Sequence, residues 1–322
     1  MKLSIITVNY RSWHHLQNAL DALAQRFPDD WEMIIVDNES EPESFRAFQE
    51  RNPWVRMIAN PVNSGFGIGC MVGVAEASGT QLLFMNPDVI ATPEQIQALL
   101  RVKHENPDIK LLSPRQLGND GQPQKVFDEF PDLLNQSKLL KALRRRLFPA
   151  RSPDPRAEHK QLVWCDWITG SFLLIDRHDF DAIGGWSADY WMYVEDADLC
   201  KRAQDAGMRV AYTPSVEVIH AHGGSSRINV AVKTMTKLEV IISKHVYTWK
   251  HASGIKRWLM HSLIILLRLP GLLLAALLDL LTFRQFASLN VRTGMLVKLA
   301  KYYLGVIRTR SWLSPRAKRN QA

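Results

Sequence analysis

The chain has 322 residues, of which 46% are hydrophobic and 22% charged, and its formal net charge is +8. This is the composition of an ordinary globular protein with enough residues for one large domain or two modest ones. Its three cysteines, odd in number and far apart, fit neither a disulfide framework nor a zinc site, and the N-terminal residues lack an export signal, so we expect a reducing compartment.

The positive charge is concentrated at one end of the sequence. Residues 1–243 hold 26 Lys and Arg against 31 Asp and Glu, a net of −5. Residues 244–322 hold 14 Lys and Arg against one acid, Asp279, a net of +13. This asymmetry predicts an anionic partner for the second segment, either a membrane or a nucleic acid.

Apolar runs alternate with helical patterns over the first 115 residues. The apolar runs predict four strands: LSIITV (3–8), EMIIVD (32–37), VRMIAN (55–60) and QLLFMN (81–86). Apolar spacing at 13–27 and a small-residue run at 67–79 predict helices between them. A third helix begins where Thr92, Pro93 and Gln95 combine an N-cap, a first-turn proline and a capping box. Such an order indicates an α/β fold with a mostly parallel sheet covered by helices on both faces.

The pattern loosens at residues 116–160, where we expect an irregular, partly mobile excursion with a short helix at 133–147. It resumes afterwards with a strand at 167–177, a helix from Asp196 to residue 206 that ends at Gly207, and further strands. We therefore expect one α/β domain over residues 1–243.

Residues 244–322 predict a basic, apolar, helical tail. Within it, residues 258–281 are apolar over nearly a bilayer's thickness, but Arg268, Pro270 and Asp279 interrupt them. Divided at Pro270, each half would be roughly 18 Å long, too short to cross about 30 Å of hydrocarbon. Flanking basic and aromatic residues favour an interfacial or re-entrant helical pair on an anionic leaflet. A spanning helix and a buried hairpin of a soluble domain are the alternatives.

Polar residues follow each of the first four strands. In an open α/β sheet, ligands bind beyond the carboxyl ends of the strands, so these residues predict one crevice. The polar strand ends lie at 7–10, 37–38, 60–63 and 86–88. A dinucleotide fold is excluded because the third glycine of GxGxxG, counted from Gly65 or Gly67, would fall on Cys70 or Val72.

Asp88 stands at the lip of this crevice, where a carboxylate can hold Mg²⁺ or Mn²⁺ against a diphosphate. Pro87 would fix the direction of that carboxylate. His220 is a second candidate ligand and would favour Mn²⁺. His222 would lie on the same strand face, so the pattern leaves the choice between the two histidines open.

Three acids, Glu195, Asp196 and Asp198, follow a run of aromatic residues. The preference of acids for a helix N-terminus accounts for one or two of them. A third suggests a carboxylate aimed into an aromatic-walled acceptor pocket, suited to general-base catalysis. The candidates for that pocket are Glu195 and the aromatic residues Trp186, Tyr190, Trp191 and Tyr193.

Taken in order, several segments resemble the inverting glycosyltransferase family 2, and within it the rhamnosyltransferase-like branch. The segments are SIITVNYRSWHHLQNALDAL, IIVDNES, NSGFGIGCMVG, LLFMNPDV, WITGSFLLIDRHDFDAIGGW, YVEDADLCKRAQDAG and VIHAHGGSS. The resemblance covers residues 1 to about 230. It implies the GT-A fold, nucleotide-diphosphate sugar donors and inversion of the anomeric carbon by direct displacement.

The resemblance also implies roles for residues of the donor site. Thr7, Asn9 and Asp37 would contact the nucleoside, and Asn63 and Gly65 would line the diphosphate side.

The remaining roles concern metal and catalysis. Asn86-Pro87-Asp88 stands in the position of the family's DXD motif, with Asn86 in place of the first Asp and Asp88 as the metal-binding one. Asp196 matches the catalytic base, and His220 matches the late metal ligand.

We therefore expect a metal-dependent glycosyltransferase, peripheral or monotopic at the cytoplasmic face of a bacterial inner membrane. Its donor would be dTDP-L-rhamnose, or else a UDP- or GDP-linked sugar, and its acceptor a lipid-linked glycan such as an O-antigen precursor. A nucleic-acid binder is disfavoured because the basic excess coincides with leucines. An inactive scaffold is disfavoured because Asp37, Asp88 and Asp196 are all present.

Overall fold

The computed structural model describes residues 2–148, 153–221 and 230–319. The chain divides into two compact units, and each is built from several stretches of sequence. The catalytic unit comprises 1–130, 149–187 and 195–225, and the helical unit comprises 131–148, 188–194 and 226–322. The second unit thus takes in residues 131–148, 188–194 and 226–243 besides the predicted tail at 244–322. The division at residue 243 stays a prediction.

The secondary structure alternates as the sequence pattern predicts. The strands are β1 Leu3–Asn9, β2 Trp31–Asn38, β3 Arg56–Asn60, β4 Gln81–Met85, β5 Val89–Ile90, β6 Ile109–Leu117, β7 Phe127–Asp128, β8 Val163–Trp164, β9 Trp167–Ile168, β10 Phe172–Asp176 and β11 Arg209–His220. The helices are α1 Trp13–Ala24, α2 Pro42–Arg51, α3 Phe66–Glu76, α4 Pro93–Glu105, α5 Lys138–Leu147, α6 Arg177–Ala182, α7 Glu195–Asp205, α8 Val230–His251, α9 Gly254–Leu281, α10 Ala287–Thr309 and α11 Pro315–Arg319.

A mixed sheet forms the centre of the catalytic unit, with the order β3-β2-β1-β4-β10-β6-β11-β5 and with β8 paired to β11. Strands β1, β2, β3, β4, β6 and β11 run in one direction, whereas β5, β8 and β10 run in the other. The sheet is therefore mostly parallel, as predicted. Buried clusters lie on both of its faces, one against α1 and α4 and the other against α3, α6 and α7.

The glycines of α3 bring this helix close to the sheet. A Cβ atom on Gly73 would lie 2.6 Å from Ile6 Cγ2, and one on Gly69 would lie 2.9 Å from Val8 Cγ1. A side chain at either position would therefore force the helix away from β1. The glycine-rich stretch serves helix–strand packing, which agrees with the exclusion of a dinucleotide fold.

The stretch at 116–160 holds more regular structure than the sequence suggests. It contains the end of β6, strand β7 and helix α5. The predicted helix at 133–147 is confirmed, but it begins only at residue 138. Further along, β7 pairs with β9 as a separate two-stranded sheet.

In the helical unit, α9 and α10 pack on each other and on α8. His245 and His261 join α8 to α9 through an Nδ1–Nδ1 contact of 2.8 Å, and Trp312 stacks on His261 with ring centroids 3.9 Å apart. Helix α9 runs without a break through Pro270. The division into two short halves was therefore wrong, because a missing N–H group and a ring clash can kink a helix without ending it.

Among the described residues, α9 is the one helix long and apolar enough to cross a membrane. It has 28 residues, and its most apolar window has a mean hydropathy of 2.3 with 22% of the residues buried. Length and composition alone are weak evidence for a span.

The two units carry opposite net charges. The sequence of the helical unit holds 22 Lys and Arg and 4 Asp and Glu, a net of +18. The catalytic unit holds the other 18 basic and 28 acidic residues, a net of −10. The charge asymmetry seen in the sequence is therefore larger when it is measured by units.

Candidate active site

The carboxyl ends of β1 and β2 meet in a hydrogen-bonded cluster around Asp37. Asn9 stands opposite Asp37 in the parallel register, and its Nδ2 donates to Asp37 Oδ1 at 2.8 Å. Ser40 donates its N–H to Asp37 Oδ2 at 3.0 Å and its hydroxyl to Oδ1 at 2.7 Å. Three donors hold this carboxylate in one orientation. Asp37 is thus fixed at the strand edge where the nucleoside was predicted.

Thr7 and Asn9, the other predicted nucleoside residues, have side chains buried within the sheet. Asn9 orients Asp37 and also accepts the N–H of Ser12 at 3.2 Å. The Thr7 hydroxyl has no hydrogen-bond partner in the part of the chain that is described. Direct contacts of these two residues with a nucleoside stay predictions.

A second polar cluster joins the ends of β2 and β3 to the start of α3. Asn38 Oδ1 accepts a hydrogen bond from Asn60 Nδ2 at 2.7 Å, and Asn38 Nδ2 donates to the carbonyl of Gly65 at 2.9 Å. Asn63 Oδ1 accepts the N–H of Gly65 at 3.2 Å. Gly65 has φ +85°, a left-handed conformation that suits glycine, and it directly precedes α3. Asn63 and Gly65 therefore lie beside a helix N-terminus, the end that favours anionic groups.

Asp88 and His220 come together at the edge formed by β5 and β11. His220 Nε2 lies 3.3 Å from Asp88 Oδ1, and the N–H of Ala221 donates to the Asp88 carbonyl at 2.9 Å. The other ring nitrogen, His220 Nδ1, lies 2.7 Å from Gln116 Oε1. The ring is thus oriented with Nδ1 toward the Gln116 amide oxygen and Nε2 toward Asp88.

This pair fits a divalent cation. A carboxylate oxygen and an imidazole nitrogen 3.3 Å apart are two ligand types that Mn²⁺ accepts. Within the described residues, no group of three or more His, Cys, Asp or Glu could hold a metal. A two-residue site is still typical of Mg²⁺ and Mn²⁺ bound with substrate phosphates, which supply further oxygens. His222 lies outside the described residues.

A turn at residues 169–171 connects the metal side to the predicted base. The Ser171 hydroxyl donates to Gln116 Oε1 at 2.9 Å, the same oxygen that orients His220. The Ser171 carbonyl accepts the N–H of Asn86 at 2.8 Å. The N–H of Gly170, one residue earlier, donates to Asp196 Oδ2 at 3.4 Å. Adjacent residues of one turn thus support both sides of the candidate active site.

Asp196 lies in the first turn of α7, and the pKa of its carboxyl group is raised. Burial raises the pKa of its carboxyl from 3.8 to about 6, while hydrogen bonds from the N–H groups of Ala197 and Gly170 and the charge of Lys125 act in the opposite direction. The Ala197 bond is 2.8 Å long. A carboxylate with a pKa near 6 is ionised at neutral pH and is a stronger base than an ordinary aspartate, which suits proton abstraction.

Glu195 and Trp186 lie in the same unit but are buried. Burial and the neighbouring Asp196 charge raise the pKa of Glu195 well above its usual range. Trp186 is 3% exposed and packs edge-to-face on Phe66 and Phe84. A Cβ atom on Gly67 would lie 3.3 Å from the Trp186 side chain, and one on Gly170 would lie 3.0 Å from it. Trp186 therefore packs closely against both glycines. Acceptor contacts of these two residues stay predictions.

Asp198 has a structural role. It is completely buried, and Arg202 Nε donates to its Oδ2 at 2.8 Å. The same guanidinium donates to the carbonyls of Ile183 and Gly185. Asp198 therefore holds an arginine that fixes the turn after α6.

Tyr190 and Trp191 belong to the helical unit. There, Lys250 Nζ lies 5.5 Å from the Tyr190 ring centroid, and the Arg316 guanidinium lies 4.0 Å from the Trp191 ring. Both rings are at least nine-tenths buried. Their predicted acceptor contacts are not tested by these packing interactions.

The backbone that precedes α7 is strained. Tyr193 and Val194 both have left-handed conformations, with φ +70° and +67°. For a β-branched residue such as Val194 this is a rare and costly conformation, of the kind that clusters at active sites.

Comparisons with known proteins agree with this geometry. A family model described as glycosyl transferase family 2 matches residues 4–167, just over half of the chain. This chain belongs to glycosyl transferase family 2. A second model, described as the N-terminal domain of galactosyltransferase, matches residues 159–222 of this family 2 enzyme.

Curated relatives of this family 2 enzyme include two rhamnosyltransferases. It is 29% identical over 234 residues to the N-acetylglucosaminyl-diphospho-decaprenol L-rhamnosyltransferase of Mycobacterium tuberculosis, a match that spans 68% of this chain and 75% of that protein. It is also 29% identical to rhamnosyltransferase WbbL of Escherichia coli, over 48% of this chain and 60% of that protein.

Solved structures show the GT-A fold. The mannosyltransferase PcManGT from Pyrobaculum calidifontis, in complex with GDP-Man and Mn²⁺, has a TM-score of 0.52 at 13% identity and covers 92% of this chain and 87% of that one. S. aureus TarS 1-349 in complex with UDP has a TM-score of 0.50 at 17% identity, covering 79% and 67%.

Proposed function

We propose that this glycosyltransferase moves L-rhamnose from dTDP-L-rhamnose to a lipid-linked glycan acceptor, with inversion at the anomeric carbon. The observation that carries this proposal is the 29% identity over 234 residues to a diphospho-decaprenol L-rhamnosyltransferase. The E. coli relative, also a rhamnosyltransferase, supports the same sugar. Transfer from a UDP- or GDP-linked sugar is the alternative.

In this proposal, Asp196 is the general base. Its carboxylate takes the proton of the acceptor hydroxyl as the oxygen attacks the anomeric carbon. Two features support the role: a pKa of about 6 and an orientation fixed by the N–H groups of Ala197 and Gly170. With one carboxylate acting on the acceptor and direct displacement of the leaving group, the product has inverted configuration.

Asp88 and His220 would hold a Mn²⁺ or Mg²⁺ ion on the donor side. When bound, the cation neutralises the diphosphate and stabilises it as a leaving group. Gln116 Oε1 lies 2.7 Å from His220 Nδ1 and orients the ring, so that Nε2 is the nitrogen turned toward Asp88 and toward the proposed cation. Asp37 and Asn63 would orient the nucleoside and diphosphate at the neighbouring strand ends, together with Asn86.

A lipid-linked acceptor would require the enzyme to act at the cytoplasmic face of a bacterial inner membrane, as a peripheral or monotopic protein. Helix α9 supports this location because it exposes a row of leucines. These are Leu266, Leu267, Leu273, Leu274, Leu277, Leu278, Leu280 and Leu281, each at least 42% exposed. The net charge of +18 on the helical unit suits an anionic leaflet. An O-antigen or similar surface polysaccharide would be the final product.

Donor identity can be tested by thermal melting of the full chain with a panel of nucleotide sugars, each with and without Mn²⁺. We expect dTDP-L-rhamnose with Mn²⁺ to raise the melting temperature more than UDP- or GDP-linked sugars do. A larger shift with a UDP- or GDP-linked sugar would overturn the donor assignment.

The metal assignment is tested with Asp88→Ala and with EDTA. The variant should keep its melting temperature without ligand, because a rim carboxylate supports no core, and it should lose the metal-dependent part of donor binding. Turnover of the unmodified enzyme that survives EDTA would refute the metal role.

A further inference from the structure

Helix α5 of the helical unit exposes three of its leucines. Leu139, Leu143 and Leu147 follow one another at intervals of four residues and therefore form one stripe along the helix. They are 78%, 51% and 59% exposed, and Phe148, directly after the helix, is 54% exposed. Four large apolar side chains thus share one exposed surface.

Three basic residues of α5 are less exposed than these leucines. Lys141, Arg144 and Arg145 are all partly buried, and Arg144 Nη1 lies 3.0 Å from Asp132 Oδ2. A surface helix of a soluble protein has the opposite arrangement, with its apolar face on the core and its charges in water. The exposed leucines of α5 therefore favour an apolar surface that covers them.

Three occupants of this surface can be considered, and a lipid surface suits it best. A second copy or another protein would need about 800 Å² of contact per partner, far more than four side chains provide. The unit that carries α5 has a net charge of +18 and also contains α9, whose leucines are exposed. Arg146 is exposed beside the stripe and is long enough to reach lipid phosphates while its stem stays in the apolar layer.

We propose that α5 lies at the boundary between headgroups and acyl chains of an anionic lipid surface, with Leu139, Leu143, Leu147 and Phe148 inserted. It is a second lipid contact, about 110 residues before α9 in the sequence. The proposal rests on the membrane location proposed above and adds a contact that lies, in sequence, between two strands of the catalytic unit, β7 and β8.

The test is cosedimentation of the full chain with vesicles of phosphatidylcholine containing 30% phosphatidylglycerol. The variant Leu139→Gln/Leu143→Gln/Leu147→Gln keeps helix propensity but removes the apolar stripe. We expect it to bind about 10- to 100-fold more weakly than the unmodified chain, since three partly inserted leucines are lost. The matched control, Leu→Met at the same three positions, should bind normally. Equal binding by the glutamine variant would overturn the proposal.

Two further measurements distinguish a lipid contact from a wrong donor assignment and from self-association. The melting-temperature shift with nucleotide sugar should be unchanged in the glutamine variant, so that a wrong donor assignment cannot be confused with a wrong lipid contact. If size-exclusion chromatography shows an oligomer that the glutamine variant loses, with vesicle binding unaffected, a second copy covers the stripe and the proposal is wrong.

A fluorescent probe gives a reading that does not depend on the triple variant. An environment-sensitive dye on Leu143→Cys, in a Cys165→Ser background, should shift to the blue when the vesicles are added. The same dye on Asp205→Cys, on an exposed position of α7, should not shift. Native Cys70 and Cys200 are buried and should not react. No blue shift at position 143 would overturn the proposal.

Discussion

Replacing the proposed base should make the protein more stable as well as inactive. The pKa of Asp196 is raised from 3.8 to about 6, so the native state binds this proton more tightly than the unfolded chain does. The stability from this group is present below about pH 4 and is lost as pH rises through about 6. At pH 7.5 a pKa raised by about two units lowers the free energy of unfolding by about 3 kcal/mol.

Asp196→Asn has no proton to lose and avoids this destabilisation. Its amide oxygen can keep the 2.8 Å bond from the Ala197 N–H, but its NH₂ group would face the N–H of Gly170, so the longer 3.4 Å bond is lost. We therefore expect a net gain of about 1–2 kcal/mol at pH 7.5, which is about 2–6 °C in melting temperature. Near pH 4 the gain should vanish. Turnover should fall by roughly 10² to 10⁴, and donor binding should survive.

The assay is thermal melting of the full chain in mild detergent at pH 4 and 7.5, with turnover measured on the same preparations. Asp205→Asn is the matched control, because Asp205 lies on the same helix and its side chain is 57% exposed. It should change stability by less than about 0.5 kcal/mol at either pH. If both variants have the same melting temperature at pH 7.5, burial of the ionised Asp196 carboxylate does not destabilise the folded protein. If Asp196→Asn keeps normal turnover, the base is another residue.

Three further outcomes follow from the site. Asp198→Asn should unfold more easily, by about 3 kcal/mol, because it leaves the Arg202 guanidinium without its buried carboxylate; a melting temperature equal to that of the unmodified chain would contradict this role. Gln116→Leu should weaken Mn²⁺ binding by about 10- to 100-fold in a metal titration, because His220 loses the side chain that orients its ring, and unchanged affinity would exclude that function. Turnover of the unmodified enzyme should decline below about pH 6 as Asp196 takes up its proton, so a flat profile down to pH 5 would count against this base.

The parallel half of the fold could be predicted from sequence because each element there has a strong local signal. The capping box of α4 is present, with Thr92 and Gln95 bonded to each other's backbone. Strands β1, β2 and β4 are continuous apolar runs and form the centre of the sheet. Short strands without a periodic pattern, such as β5 and β8, could not be predicted. They exist because β11 offers them a partner across a long sequence distance.

For the candidate site, the pairing of Asp88 with His220 was predicted and the structure brings the two together. Gln116 and Ser171 were missed. Both are buried polar residues that belong to or border a strand, and this is the signal that could have identified them. The role of Asp198 could not be predicted, because a buried ion pair and a solvated helix start look the same in sequence. Its partner Arg202 lies one helical turn away, which is also the usual spacing of surface pairs.

The turn at 169–171 has a consequence for how far this enzyme can change. Gly170 bonds Asp196 and Ser171 bonds Gln116, so a single peptide bond links the supports of the proposed base and of the proposed metal ligand His220. Consecutive Cα atoms are about 3.8 Å apart whatever the surrounding helices do. The spacing between the two supporting groups, the Gly170 N–H that bonds Asp196 and the Ser171 residue that bonds Gln116, is thus held by covalent geometry. New donors and acceptors could evolve through the outer loops, while exchange of residues in this turn would disturb both halves of the reaction at once.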